Sequence, residues 1–258
     1  MSTDQHRNAA RSPAGPQQSP QPLGYSRWMA AAEEEYERLL RLLGGLDAEH
    51  WNAPTDCDGW AVRDVVAHLA GAAASTASLR EFFRLARAAR RLGREGDLVD
   101  RMNQVQVEER LSVPPAGLIG DLEVNARRGL AARRRIPAPV RAVRIPFGPP
   151  LGTRPLAYLM GRIYTRDAWM HRVDLARATG AALELTGEHD GAIVEDVVAE
   201  WSSAHGRDYD LRLHGPAGGR WTEGSPSDAA VSMDAVDFAR TLSGRVPGDG
   251  LLAHRVPF

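Results

Sequence analysis

Trp60-Ala61-Val62-Arg63-Asp64-Val65-Val66-Ala67-His68-Leu69-Ala70-Gly71 is the stretch whose reading decides the fold. It reads as a helix over 62–75 that is apolar around most of its circumference, and such a helix belongs inside a bundle. One imidazole, His68, sits within that run. A second segment reads Arg166-Asp167-Ala168-Trp169-Met170-His171-Arg172-Val173-Asp174. Its Asp167 and His171 are four residues apart and so share one face of another helix.

A histidine from one helix and an Asp/His pair from another make a three-ligand set, His68, Asp167 and His171. A catalytic zinc site uses three protein ligands and an open fourth position, and facing helices of a bundle are a known place to assemble them. Each residue also has a plainer reading. A lone histidine on an apolar helix is usually a hydrogen-bonded core residue, and Asp167 or Asp174 can pair with Arg166, Arg172 or Arg177. Asp64 lies one turn before His68, where it can orient the second ring nitrogen. Asp174 stays open between metal ligand and hydrogen-bond partner of His171. Cys57 borders the same region without being read as a nucleophile. Trp60 reads as packing at the helix start, with Asp58 as its cap. His50, His189, His205, His214 and His254 read as surface residues.

Working outward, apolar spacing predicts helices over 26–44, 62–75, 78–92, 97–111, 116–135 and 156–179, the last stopped by Gly180. The helix over 78–92 is expected to bury Phe82, Phe83, Leu85 and Ala89. The proline-rich segment 136–155 reads as a loop with one short extended ribbon. Beyond Gly180 come a helix over 189–204, alternating strands at 209–214, 220–222 and 230–233, a helix over 235–242 and a final strand over 251–258. The expected organisation is a disordered tail over 1–24, a helical bundle over 25–180 and a small α+β domain with antiparallel strands over 181–258.

Bulk properties exclude much. The chain has 258 residues and a formal net charge of −1, with no lysine among its 32 basic residues. Near-neutrality argues against nucleic acid or an anionic membrane as partner. The arginine clusters at 84–94 and 133–135 read as solvated helix faces. The single cysteine, Cys57, excludes an intrachain disulfide or a cysteine-based zinc cluster and fits a cytoplasmic location. No signal peptide or membrane span is read.

Three motifs together resemble the mycothiol-dependent maleylpyruvate isomerase family. The first comprises Trp51, Pro54-Thr55, Cys57, Gly59-Trp60 and the run from Val62 to Gly71. The second runs from Asp167 to Ala176. The third, looser, is Asp237-Phe238-Ala239-Arg240 with Leu242-Ser243-Gly244-Arg245. The resemblance implies a mixed α and α/β chain: an N-terminal DinB-like four-helix bundle followed by a small α+β domain. It implies that His68, Asp167 and His171 hold a divalent metal, zinc being favoured, with mycothiol as thiol cosubstrate. The family's best-known member has Glu where this chain has Asp167, a carboxylate shorter by one methylene, which would set the metal closer to that helix. Arg245 matches an arginine suited to a substrate carboxylate, with a surface ion pair as its plainer reading. The implied chemistry is a thiolate adding to a small-molecule electrophile or cis-enoyl diacid, either for cis–trans isomerisation or for thiol transfer. A small-ligand-binding protein of the same fold and a regulatory protein remain alternatives. The acceptor and the oligomeric state are not legible.

Overall fold

A computed structural model describes residues 19–93, 97–148, 151–225 and 230–258. The tail expected over 1–24 therefore lies outside the described residues up to residue 18, as does Arg94. The bundle is built from α1 (Tyr25–Gly44), α2 (Val62–Ala77), α5 (Pro115–Arg135) and α7 (Tyr164–Thr179), with α3 (Leu79–Arg91) and α4 (Leu98–Glu108) packed beside α2. Pro115 sits in the first turn of α5, where its missing N–H costs nothing, and Gly180 ends α7 with φ 69°, the left-handed conformation glycine adopts freely. Phe83 departs from expectation. It is 65% exposed, because α3 buries only the narrower stripe of Leu85, Ala86 and Ala89.

The segment between α5 and α7 holds a short helix, α6 (Ala138–Ala142), and a two-stranded antiparallel ribbon of β1 (Arg144–Pro146) and β2 (Thr153–Pro155). The ribbon matches the sequence reading. The helix does not, although Pro137 and Pro139 are both compatible with a helix start. Residues Tyr158–Ile163 then form a π-helical turn that runs into α7. Arg133 of α5 donates to its Met160 O and Gly161 O. Arg133 is therefore 1% exposed, not solvated as its basic run suggested.

The C-terminal part comprises α8 (Asp190–His205), β3 (Tyr209–His214), β4 (Gly219–Glu223), β5 (Ala230–Asp234) and α9 (Ala235–Leu242). The sheet order is β4-β3-β5. β4 pairs antiparallel with β3, as the Gly218-Gly219 hairpin predicts, whereas β5 pairs parallel. Alternation marks a strand but not its direction, which corrects the all-antiparallel expectation. Residues 251–258 form no strand. Val256 is buried and its N–H donates to Leu242 O, so the chain end closes onto α9.

Two apolar clusters organise the molecule. One lies inside the bundle, around Tyr36, Leu39, Val65, Val66, Leu69, Leu118 and Leu122. The other joins Trp28 and Met29 of α1 and Trp169 and Val173 of α7 to Val197, Trp201, Leu211 and Phe238. Helix α7 contributes to both, so the residues it carries stand where the bundle meets the C-terminal part.

Candidate metal centre

Helix α2 brings His68 and helix α7 brings Asp167 and His171 to one place. Asp167 Oδ2 lies 3.3 Å from His68 Nε2, and Asp167 Oδ1 lies 3.4 Å from His171 Nε2. One donor atom from each of the three residues falls within 4.8 Å of the others. The two imidazole centroids are 5.1 Å apart. Asp167 is the most open of the three, with 24% of its side chain exposed against 5% for His68 and 8% for His171.

The far nitrogen of each imidazole is occupied. His171 Nδ1 donates to Asp174 Oδ2 at 3.0 Å, since a carboxylate can only accept. His68 Nδ1 pairs with Gln106 Oε1 of α4 at 2.8 Å. A proton kept on each Nδ1 would leave the Nε2 side of both rings, which faces Asp167, for a metal, the tautomer that metal-ligating histidines need. Asp174 therefore acts behind His171. Gln106, not Asp64, orients His68; Asp64 instead accepts from Ala61 N at the start of its own helix, the place expected of Asp58. The signal for Gln106 in sequence is weak: one amide between Val105 and Val107. Gly71 makes the reach possible, because a Cβ there would stand 2.5 Å from Gln106 Cγ.

Charge at the site is tightly coupled. Burial opposes ionisation of Asp167, yet the two imidazoles beside it hold its carboxyl far below the usual carboxylate range. Burial also opposes the charge on His171, but Asp167 and Asp174 outweigh it and raise its pKa well above that of an ordinary histidine. Asp174, likewise disfavoured by burial, is held down at about 2 by His171 and Arg245. Arg245 reaches it from the C-terminal part through a two-pronged contact, Nε to Oδ1 at 2.7 Å and Nη2 to Oδ2 at 2.6 Å. Its Nη1 makes no hydrogen bond among the described residues.

Other residues frame this centre. Trp60 does more than pack at the helix start: its ring lies 5.3 Å from that of His68 and 6.5 Å from that of His171, forming one wall. Cys57 Sγ is 3.5 Å from Asp174 Oδ2 and 3.8 Å from His171 Nδ1, behind the imidazole and away from its Nε2. The arginines expected to pair with Asp167 and Asp174 go elsewhere. Arg166 meets Asp196 and Glu200, Arg172 meets Glu35 and Asp190, and Arg177 meets Asp56. His189 is not on the surface; it is 6% exposed and bonded to Glu35.

The donor set fits a divalent metal of zinc type: two imidazole nitrogens, one carboxylate and an exposed flank for a fourth ligand. Comparison with known proteins shows the family. The family model of the mycothiol maleylpyruvate isomerase N-terminal domain matches residues 32–176. Uncharacterised proteins from two strains of Mycobacterium tuberculosis are each 28% identical over 231 residues, 84% of this chain and 85% of theirs. A crystal structure of the mycothiol-dependent maleylpyruvate isomerase superposes with TM-score 0.59 at 19% identity, covering 87% of this chain and 90% of that one. A histidine-to-alanine mutant of that enzyme gives 0.58 at 20% identity over the same shares. At that identity the likeness shows a shared fold.

Proposed function

This chain belongs to the mycothiol maleylpyruvate isomerase family, and from that premise we propose that it is a metal-dependent enzyme that uses mycothiol to attack an electrophilic small molecule. The observation that carries the reading is the convergence of His68, Asp167 and His171 donor atoms within 4.8 Å, with Gln106 and Asp174 holding the opposite ring nitrogens. His68 Nε2, an Asp167 oxygen and His171 Nε2 would hold the metal. When bound, a divalent cation of zinc type supplies the positive centre that keeps a thiol deprotonated at neutral pH.

The chain's own groups do the rest. Asp174 fixes the ring of His171 and strengthens its basicity, and Arg245 keeps Asp174 ionised. Nη1 of Arg245, which makes no hydrogen bond among the described residues, suits an acidic group on the acceptor. Trp60 covers the imidazoles and limits water at the reacting centre. With thiolate and acceptor held together, addition to an activated double bond, rotation and elimination give isomerisation of a cis-enoyl diacid. The same attack without elimination gives thiol transfer. Isomerisation is the reading the family supports, and transfer is the alternative. We place the reaction in the cytoplasm, where free thiols persist. The test is to incubate zinc-loaded protein with mycothiol and maleylpyruvate, following conversion to the trans isomer and, by mass spectrometry, any retained conjugate. Turnover that needs mycothiol and is lost in His171→Ala is expected. Turnover without thiol, or none of either product, overturns the reading.

A further inference from the structure

We propose that Arg133 forms an anion-binding subsite within the bundle, beside Tyr164, which lies about one helical turn before Asp167 on α7, and that this subsite takes a carboxylate of the acceptor. Buried arginines in the described residues are Arg38, Arg133, Arg166, Arg172 and Arg240. All but Arg133 meet carboxylates: Arg38 meets Asp190 and Glu34, Arg166 meets Asp196 and Glu200, Arg172 meets Glu35 and Asp190, and Arg240 meets Asp56 and Asp237. Arg133 is 1% exposed and has no carboxylate partner among the described residues. Its Nε and Nη2 are used on Met160 O, Gly161 O and Thr165 Oγ1, while Nη1 makes no hydrogen bond among the described residues. Neutral carbonyls satisfy donors but leave a full positive charge buried without a counter-charge, a costly condition that a bound anion relieves.

The surroundings suit a carboxylate. Arg133 Cζ lies 5.8 Å from the Tyr164 ring centroid, and the Tyr164 hydroxyl is 3.2 Å from Ser75 Oγ. Tyr36 is 7% exposed, yet its hydroxyl makes no hydrogen bond among the described residues. Burial pushes the Tyr36 phenol up to about 12 and raises that of Tyr164, so both keep their protons at neutral pH and can donate. Asp167 and Arg133 act electrostatically on both phenols, in opposite senses. Tyr164 precedes Asp167 by three residues on α7, about 5 Å along the axis. The acceptor this arrangement selects is a carboxylic acid. Neutral electrophiles are disfavoured.

The inference deepens the proposed reaction and rests on it for the neighbouring centre, but binding of an acid needs neither metal nor thiol. Its test uses succinate, a diacid that thiols do not attack, and neutral succinamide, titrated calorimetrically at constant ionic strength with and without zinc. The wild-type chain should bind succinate and not succinamide. Arg133→Gln should weaken succinate binding by about 10- to 100-fold, the worth of a hydrogen bond to a charged group, with partial recovery in Arg133→Lys. Tyr36→Phe removes a hydroxyl with no partner among the described residues, and it should keep the fold while weakening binding by about 3- to 5-fold. If circular dichroism shows that Arg133→Gln does not fold, Tyr36→Phe decides alone. Equal succinate affinity in the folded variants and wild type, equal affinity for succinamide, or no succinate binding by the wild type overturns the proposal. Arg133-dependent binding in a protein that takes up no zinc would leave the subsite standing and remove the metal reading. Zinc-dependent turnover with Arg133-independent binding would do the reverse.

Discussion

A histidine grouped with carboxylates occurs on both sides of α7, and the two groups differ in what the acids have left to offer. His171 faces His68 and Asp167. Its neighbour Arg172 faces the other way, into Glu35, Asp190 and His189. In that second group every acid is saturated. Glu35 takes Arg172 at 2.6 and 3.1 Å and His189 at 2.8 Å. Asp190 takes Arg172 at 2.6 Å, Arg38 at 3.0 Å, Trp169 Nε1 at 2.9 Å and Thr186 N at 2.7 Å. A metal could enter only by expelling two buried guanidinium groups. Asp167 meets no arginine among the described residues, only two imidazoles, which can turn the same nitrogens to a metal. Residue types do not distinguish the groups. Uncommitted lone pairs do.

The contrast can be broken in graded ways. The largest effect belongs to His68→Ala and His171→Ala: purified protein should fall from about one zinc per chain to nearly none by elemental analysis, whereas Glu35→Gln should leave the zinc content unchanged. Arg172→Ala should do the opposite, costing about 3–5 kcal/mol in denaturant unfolding because it strands two buried carboxylates, with the metal retained in whatever stays folded. Next comes pH. His171 has a raised pKa without metal, so its protonation stabilises the metal-free fold fully below its unfolded value near 6.5, and that contribution is lost as pH rises through the higher folded value. The same proton competes with zinc. Affinity measured against a chromogenic chelator should therefore rise about tenfold per pH unit until His171 is neutral, and a flat profile would contradict the assigned ligand. Asp174→Asn should then weaken zinc about 10- to 100-fold and Gln106→Leu about tenfold, each through an imidazole left free to turn.

Much of this was legible in sequence, and what was not has a physical reason. Helices α2 and α7 carry their pattern within single stretches, so His68, Asp167 and His171 could be named from periodicity and family motif before their geometry was known. Gln106 could not, because its bond to His68 depends on the close approach of α4 that Gly71 permits. His189 looked like a loop histidine because its partner, Glu35, lies on α1 far away in sequence. Arg133 looked solvated in a run of arginines, and only the π turn at Tyr158–Ile163 shows what two of its nitrogens serve. The parallel pairing of β5 was hidden because alternation carries no direction.

The most direct test of the central claim is zinc K-edge X-ray absorption of zinc-loaded protein before and after adding mycothiol. Two imidazoles and a carboxylate oxygen should appear at about 2.0–2.2 Å, with one sulfur joining at about 2.3 Å when the thiol is added. A zinc shell without imidazole, or one that mycothiol leaves unchanged, would contradict the assignment.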